Sequence, residues 1–334
     1  MPDPTGPTPR ARPPLTPLGL GGAPAGNLYR AVPDADVSAA VEAAWSAGVR
    51  YFDTAPHYGL GLSERRIGAA LAGRPRSGFT VSTKVGRLLV PAAGSPGRQD
   101  PAGFVVPATH RRVWDFSRDG VLRSLEGSLQ RLGLDRVDVV YLHDPDEHED
   151  QARGEALPAL LELRDQGVVG AVGVGMNSTA MPTRFVRECD VDLVMCAGRY
   201  TLLDQAALAD LLPAALERGV GIVVAGVYNS GLLATDSPRA GATFDYQPAD
   251  AQVLARARRI ADVCAAHGVT LPAAALAFAR AHPAVVSTVV GLQDADQVRQ
   301  TVQRAAAAVP GALWADLRSA GLLPEHAPTP DGHR

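Results

Sequence analysis

The stretch GVRYFDTAPHYGLGLSERRIGAAL, Gly48 to Leu71, decides how this chain is read. Its first six residues, Gly48–Asp53, have the β-branched and aromatic character of a strand, and LSERRIGAAL has the spacing of a helix. Ser63 can cap that helix, and Glu64 favours its positive end. Asp53, His57 and Tyr58 therefore stand where the carboxyl end of a strand passes into a loop, a place to put chemistry.

The same unit recurs along the chain. Strands are expected at Leu18–Gly22, Gly48–Asp53, Phe79–Lys84, Val137–His143, Val169–Gly175, Asp192–Ala197, Gly221–Gly226 and Val285–Gly291. Between them lie stretches such as DADVSAAVEAAWSAG, DGVLRSLEGSLQRLG and EALPALLELRDQG, whose apolar residues recur at three- and four-residue steps and end at a Gly. Eight such units without a composition break predict an α/β fold, a single (β/α)8 TIM barrel. A doubly wound sheet is the rival. It would carry a phosphate-binding G-x-G-x-x-G after its first strand, and GLGGAPAG around Gly22 lacks that spacing.

The ends read differently. Residues 1–17 form a Pro-rich tail with no apolar core, neither signal peptide nor strand, and are expected to be disordered. Residues 324–334 are expected to be flexible, leaving 18–323 as the barrel. A content of 46% hydrophobic and 20% charged residues suits a globular protein, and a formal charge of −3 gives nucleic acid or an acidic membrane no electrostatic reason to bind. No apolar run reaches the roughly 20 residues that span a bilayer. Cys189, Cys196 and Cys264 have no metal-ligand spacing, and their odd number argues against a disulfide framework. A cytoplasmic protein is expected, and the oligomeric state is not readable.

Between STKVG and the helix expected at Asp119 lie about thirty residues without regular pattern. Structureless connections of this length are uncommon and often cover active sites. Leaving the third barrel strand, this one is expected to overhang the active-site face.

Four polar residues close the ends of three successive strands: Asp53 and Tyr58 after the second, Lys84 on the third, His143 on the fourth. In a barrel these ends open on one face. A phenol with a pKa near 10 is a poor proton shuttle at neutral pH, and a neighbouring ammonium draws that value down. Asp53 would hold Lys84 charged, and His143 would donate a hydrogen bond to a substrate oxygen. Such a set suits proton transfer at a C–O centre, and since no protein group accepts hydride, a nicotinamide cofactor would be needed. Each residue alone also has a structural reading.

FDTAPHYGLGLSERRIG, STKVG and LHDPD together resemble the motifs of the aldo-keto reductase superfamily, over about Leu18 to Val302. The superfamily's catalytic tetrad maps onto Asp53, Tyr58, Lys84 and His143. GRYTLLD and RDGVLRSLEGSLQRLGLDRVDVVYLHDPD further resemble its aldose (L-fucose / D-threo-aldose) 1-dehydrogenase branch, and pyridoxal 4-dehydrogenase looks similar. The resemblance implies an NAD(P)-dependent oxidoreductase that oxidises an aldose at C1 to the lactone. The alternatives are pyridoxal or general aldehyde and ketone turnover on the same site, a cofactor-binding regulatory barrel, or a metal-dependent barrel hydrolase.

It also implies cofactor residues. Asn177 matches the asparagine that holds the nicotinamide carboxamide, next to Met176 where serine is usual. Tyr228 would stack on the nicotinamide, and Asn229, Ser230, Gly231 and Leu232 would form the loop near the pyrophosphate. Gly22 would line the cofactor site. Gly291, Leu292, Gln293, Gln297 and Gln300 lie where the family contacts the adenosine half. Neutral glutamines in place of Lys or Arg there lean toward NAD, with Arg299 as a partial substitute and Thr301 in place of the usual asparagine.

Two weaker substrate candidates are His57 and Trp114, the latter together with Phe116 as covers for a sugar face. The acids of LHDPDEHED are expected in a solvated loop rather than a metal site, so no metal is assigned. The Ala-rich segment near the C-terminus is expected to form a closing helix or helix pair.

Overall fold

The computed structural model describes residues 12–92 and 97–330. Eight parallel strands close into a barrel: β1 (Leu18–Gly21), β2 (Tyr51–Asp53), β3 (Thr80–Val85), β4 (Val139–His143), β5 (Ala171–Met176), β6 (Leu193–Ala197), β7 (Gly221–Ala225) and β8 (Val285–Gly291). Each pairs with its neighbours in chain order, and β1 closes the ring against β8 with Leu18 opposite Thr288 and Gly21 opposite Gly291. All eight expected strands are present, most of them trimmed by a residue or more. The most shortened is β2, where Gly48–Arg50 belong to the turn leaving the helix Asp34–Ser46.

Helices surround the ring because their apolar faces and the outward residues of the strands share one core. The helix Arg118–Leu132 shows both end signals: the Ser117 hydroxyl accepts from Gly120 N, and Gly133 ends it at a φ of 64°. The helix Leu62–Leu71 departs from expectation. Its N-cap is Gly61, and Ser63, inside the first turn, donates instead to the Gly22 carbonyl. Glu64 is fully buried, taking hydrogen bonds from Thr83 Oγ1 and Arg131 Nε. The closing pair is Ala295–Ala306 and Gly311–Ser319, with Trp314 buried beside Phe278. Among the described residues no single helix is long and apolar enough to cross a membrane.

The barrel interior is filled in layers by alternate residues of each strand. Tyr51, Val139, Tyr141, Leu193, Met195 and Val223 make one continuous cluster, joined from below by Leu15. A side chain on Gly173 would meet the Leu193 carbonyl at 2.0 Å and the Tyr141 ring at 3.1 Å, so β5 makes room there for the tyrosine.

Two boundary expectations are corrected. Residues 12–17 are not a loose tail: Thr16 Oγ1 accepts from Arg50 N and Tyr51 N, Thr80 Oγ1 donates to the Pro14 carbonyl, and Arg12 donates to the Asp192 carbonyl. They close the floor of the barrel. At the other end Ala327 is buried and Arg318 donates to its carbonyl and to Thr329 Oγ1. The remaining tail residues, 1–11 and 331–334, lie outside the described residues.

The long connection after β3 does overhang the mouth, but it is not structureless. Arg87–Pro91 pairs antiparallel with His110–Trp114 in a hairpin, Arg87 opposite Trp114. A second, two-by-two hairpin follows β7, Thr243–Phe244 with Gln247–Pro248, turning through Asp245 and Tyr246 at positive φ.

Candidate active site

Strand periodicity explains why four polar groups meet. On β2, β3 and β4 the inward residues are Tyr51 and Asp53, Ser82 and Lys84, Tyr141 and His143, two steps apart on each strand. The lower member of each pair is part of a buried hydroxyl network. Tyr51 Oη lies 2.9 Å from Ser82 Oγ and 3.3 Å from Tyr141 Oη, and Ser82 Oγ donates to Asp53 Oδ1 at 2.7 Å. The upper members face the barrel mouth. Lys84 Nζ donates to Asp53 Oδ1 and Oδ2 and to the Thr54 carbonyl at 3.0 Å. Tyr58 is a further hydrogen-bond partner of the ammonium.

Tyr58 arrives from the loop after β2. Gly59, at φ +61°, turns the chain so closely against Gly26 that a Cβ would lie 2.2 Å from the Gly26 carbonyl oxygen. The Lys84 ammonium then stands 4.7 Å from the centre of the Tyr58 ring. His143 meets the same ring edge-on at 6.0 Å, and His57 stands edge-on to His143 at 5.5 Å.

The electrostatics differ from the sequence expectation in one respect. Burial pushes the Tyr58 phenol above its ordinary value, and the Lys84 ammonium opposes that rise without reversing it. For Lys84, burial lowers the pKa, but Asp53 and Tyr58 outweigh it and the ammonium is held at about 12. Burial, then the nearby Arg87 and Lys84 cations, drives His143 well below its ordinary value, and His57 falls to about 2 chiefly through burial. Both imidazoles are thus neutral, and the Nδ1 atoms of both are buried without a hydrogen-bond partner.

These groups line a cavity of about 610 Å³ at the barrel mouth, a size usual for small-molecule sites. Of the residues assigned to a cofactor, Gly22, Asn177, Tyr228, Ser230, Gly231, Gly291 and Gln293 also line it. Five do not. Leu232 is buried in the core, Leu292 is nearly so, and Gln300 is exposed on the outer helix face. Asn229 is buried beneath the loop, donating to the Gly198 carbonyl at 3.4 Å, with its Oδ1 unpartnered. Gln297 turns back on its own helix: its Oε1 accepts from Gln293 N, while Asp294 caps Gln297 N. Thr301 is fully buried and Arg299 pairs with Asp296.

The cover comes from residues that composition did not mark. Phe104 stands edge-on to His57 at 5.2 Å and tilted over Tyr58 at 6.1 Å, and it lines the cavity together with Ala102. Its loop is tied down by Arg112, which ion-pairs with Asp100 and donates to the His57 carbonyl at 2.7 Å. Trp114 and Phe116 do not line the cavity. Trp114 is outside it, 44% exposed, and Phe116 is buried under Gly86. Asp144, expected in a solvated loop, is instead largely buried and paired with Arg87, and both line the cavity. Nothing in the sequence near either residue signals that pairing. Across the mouth, Arg199 donates to the Asn177 carbonyl at 2.6 Å and pairs with Asp245, which pins the second hairpin and brings Tyr246 to the cavity.

Residues 17–320 match the Aldo/keto reductase family. The chain is 49% identical to a D-threo-aldose 1-dehydrogenase from a Pseudomonas species, the match covering 92% of this chain and 94% of that one. It is 41% identical to a pyridoxal 4-dehydrogenase from Microbacterium luteolum, covering 92% and 95%. An aldo-keto reductase from Bacillus halodurans has the same fold, with a TM-score of 0.73 at 24% identity over 96% of this chain and 95% of that one.

Proposed function

The chain belongs to the aldo/keto reductase family and is an NAD(P)-dependent oxidoreductase, and from that premise we propose that it oxidises an aldose at C1 to the lactone. The observation that carries the site assignment is the Lys84 ammonium, ion-paired to Asp53 and facing the Tyr58 ring at 4.7 Å. The kinship to a D-threo-aldose 1-dehydrogenase supports the substrate class.

In this reading Tyr58 is the acid–base group. As phenolate it takes the proton of the anomeric hydroxyl, the C1–H electron pair departs as hydride, and C1–O becomes the lactone carbonyl. A nicotinamide held at the mouth by Asn177 and Tyr228 would supply the hydride acceptor. His143, neutral, donates a hydrogen bond to the reacting oxygen and supports its developing charge. Lys84 stabilises the phenolate, and Asp53, fixed by Ser82, keeps the ammonium charged and in place. Run in reverse, the protonated phenol that burial favours serves as the acid for carbonyl reduction.

The residues at hand suit the cofactor. Asn177, Tyr228, Ser230, Gly231, Gly291 and Gln293 line the same cavity as the four polar groups. NAD is the favoured form. At the start of the helix Ala295–Ala306 the nearby cation, Arg299, is occupied by Asp296, and the Gln297 side chain is occupied by the Gln293 N–H. A 2′-phosphate would meet Asp294 and Asp296 at that helix start.

Initial rates with L-fucose, D-arabinose, L-galactose and pyridoxal, each with NAD and with NADP, test the reading. Aldose oxidation with NAD is the expected result. Turnover of pyridoxal alone would replace it with the second reading, which the 41% identical relative supports.

A further inference from the structure

Arg87 and Asp144 take no part in the transfers described above, yet they line the same cavity. They leave the ends of neighbouring strands, Arg87 just after β3 and Asp144 directly after His143, and ion-pair through Arg87 Nη2 and Asp144 Oδ2. Their side chains are 14% and 22% exposed. A pair so deeply desolvated gains little or no stability over apolar residues of the same size. Its geometry is also costly. Asp144 sits at a φ of 45°, in the left-handed region, and Arg87 Nε is buried without a partner. The guanidinium is further clamped by the Trp114 ring, 4.3 Å away, which gives that tryptophan a supporting place outside the cavity.

Position gives the pair its meaning. Asp144 Oδ2 is 3.6 Å from His143 Nε2. An oxygen held by His143 can therefore present its vicinal neighbour to the pair, since vicinal oxygens lie about as far apart as one hydrogen bond. A carboxylate that accepts and a guanidinium that donates match the two-way hydrogen bonding of a sugar hydroxyl. An apolar aldehyde brings no partner for the hydrogen-bonding capacity that the ion pair leaves open.

We propose that the Arg87–Asp144 pair binds the hydroxyl on the carbon next to the reacting one, and so selects substrates oxygenated at C2. This rests on the aldose reading. It makes the pair, rather than the aromatic cover, the element that distinguishes a sugar from a simple aldehyde.

The test compares D-arabinose with 2-deoxy-D-ribose, which differ only at C2, using the full-length enzyme with saturating NAD. The wild type is expected to favour D-arabinose in kcat/KM by about tenfold to a hundredfold, the worth of one charge-assisted hydrogen bond. Asp144→Asn should lose most of that ratio through D-arabinose, with 2-deoxy-D-ribose little changed. The double variant Arg87→Gln/Asp144→Asn, which leaves no unpaired buried charge, should show the same collapse if the single variant folds poorly. Equal losses on both sugars in the folded double variant, or a wild type indifferent to C2, would overturn the proposal while leaving aldose oxidation standing. Failure of the wild type to oxidise any aldose with either cofactor would remove the aldose reading and the pair's role with it.

Discussion

Lys84 Nζ lies 2.9 and 2.7 Å from the two carboxylate oxygens of Asp53, with the side chains only 1% and 3% exposed. Neither charge can be removed alone without leaving the other desolvated and unmet. Lys84→Met is therefore expected to destabilise the fold by about 3–5 kcal/mol. The double variant Asp53→Asn/Lys84→Met should recover much of that loss while remaining inactive. Urea denaturation of the wild type and both variants, read beside initial rates, checks the contrast. Equal stability of single and double variants would mean the pair is not coupled.

Tyr58→Phe keeps the ring that packs under Phe104 and removes only the hydroxyl that carries the exchangeable proton. Turnover should fall by about 10²–10⁴-fold or below detection, while cofactor affinity, measured by fluorescence titration, stays near that of the wild type. Loss of cofactor binding in this variant would place the phenol in a structural rather than a proton-transfer role.

His57 is held neutral, with its pKa near 2 against an ordinary value of 6.5. The unfolded chain takes up a proton below pH 6.5 that the folded chain refuses, so stability must fall as pH drops from 6.5 toward 2. Each such histidine contributes a slope of up to about 1.4 kcal/mol per pH unit. His143 is depressed in the same direction. His57→Phe should flatten the acid limb by roughly one such contribution, and parallel wild-type and variant curves of unfolding free energy against pH would show that His57 is protonated in the folded state.

Gln297→Arg introduces a cation at the start of the helix Ala295–Ala306, where Arg299 is already engaged by Asp296. The ratio of NADP to NAD use, as kcat/KM, should rise by about tenfold or more. No change would move the adenosine pocket away from this helix.

Asp53, Lys84 and His143 were legible because each stands at or next to the carboxyl end of a strand, and strand polarity in a parallel barrel sends all such ends to one face. Tyr58 was legible from its place just after β2. Leu232 and Gln297 were legible only as positions in a resemblance, and their side chains turn into the core and back onto the helix respectively. Trp114 and Phe116 looked like sugar covers by type, whereas Phe104, unremarkable in sequence, holds that place because Arg112 anchors its loop to Asp100 and to the His57 carbonyl. The six residues from Arg12 to Pro17 read as tail because Pro-rich segments carry no periodicity. They are ordered through contacts to other parts of the barrel floor, as in Thr16 with Arg50.

Alternation at two-residue steps, helical spacing between, and polar residues at strand ends are local properties, and from them the sequence by itself determined the barrel, its eight strands and the residues closing three of them. Whether Asp144 is solvated or buried against Arg87, whether a phenol beside an ammonium is nonetheless raised by burial, and which aromatic ring covers the cavity were decided only by the tertiary structure. Those outcomes depend on desolvation and on contacts between segments tens of residues apart, and neither is a property of any short stretch of chain.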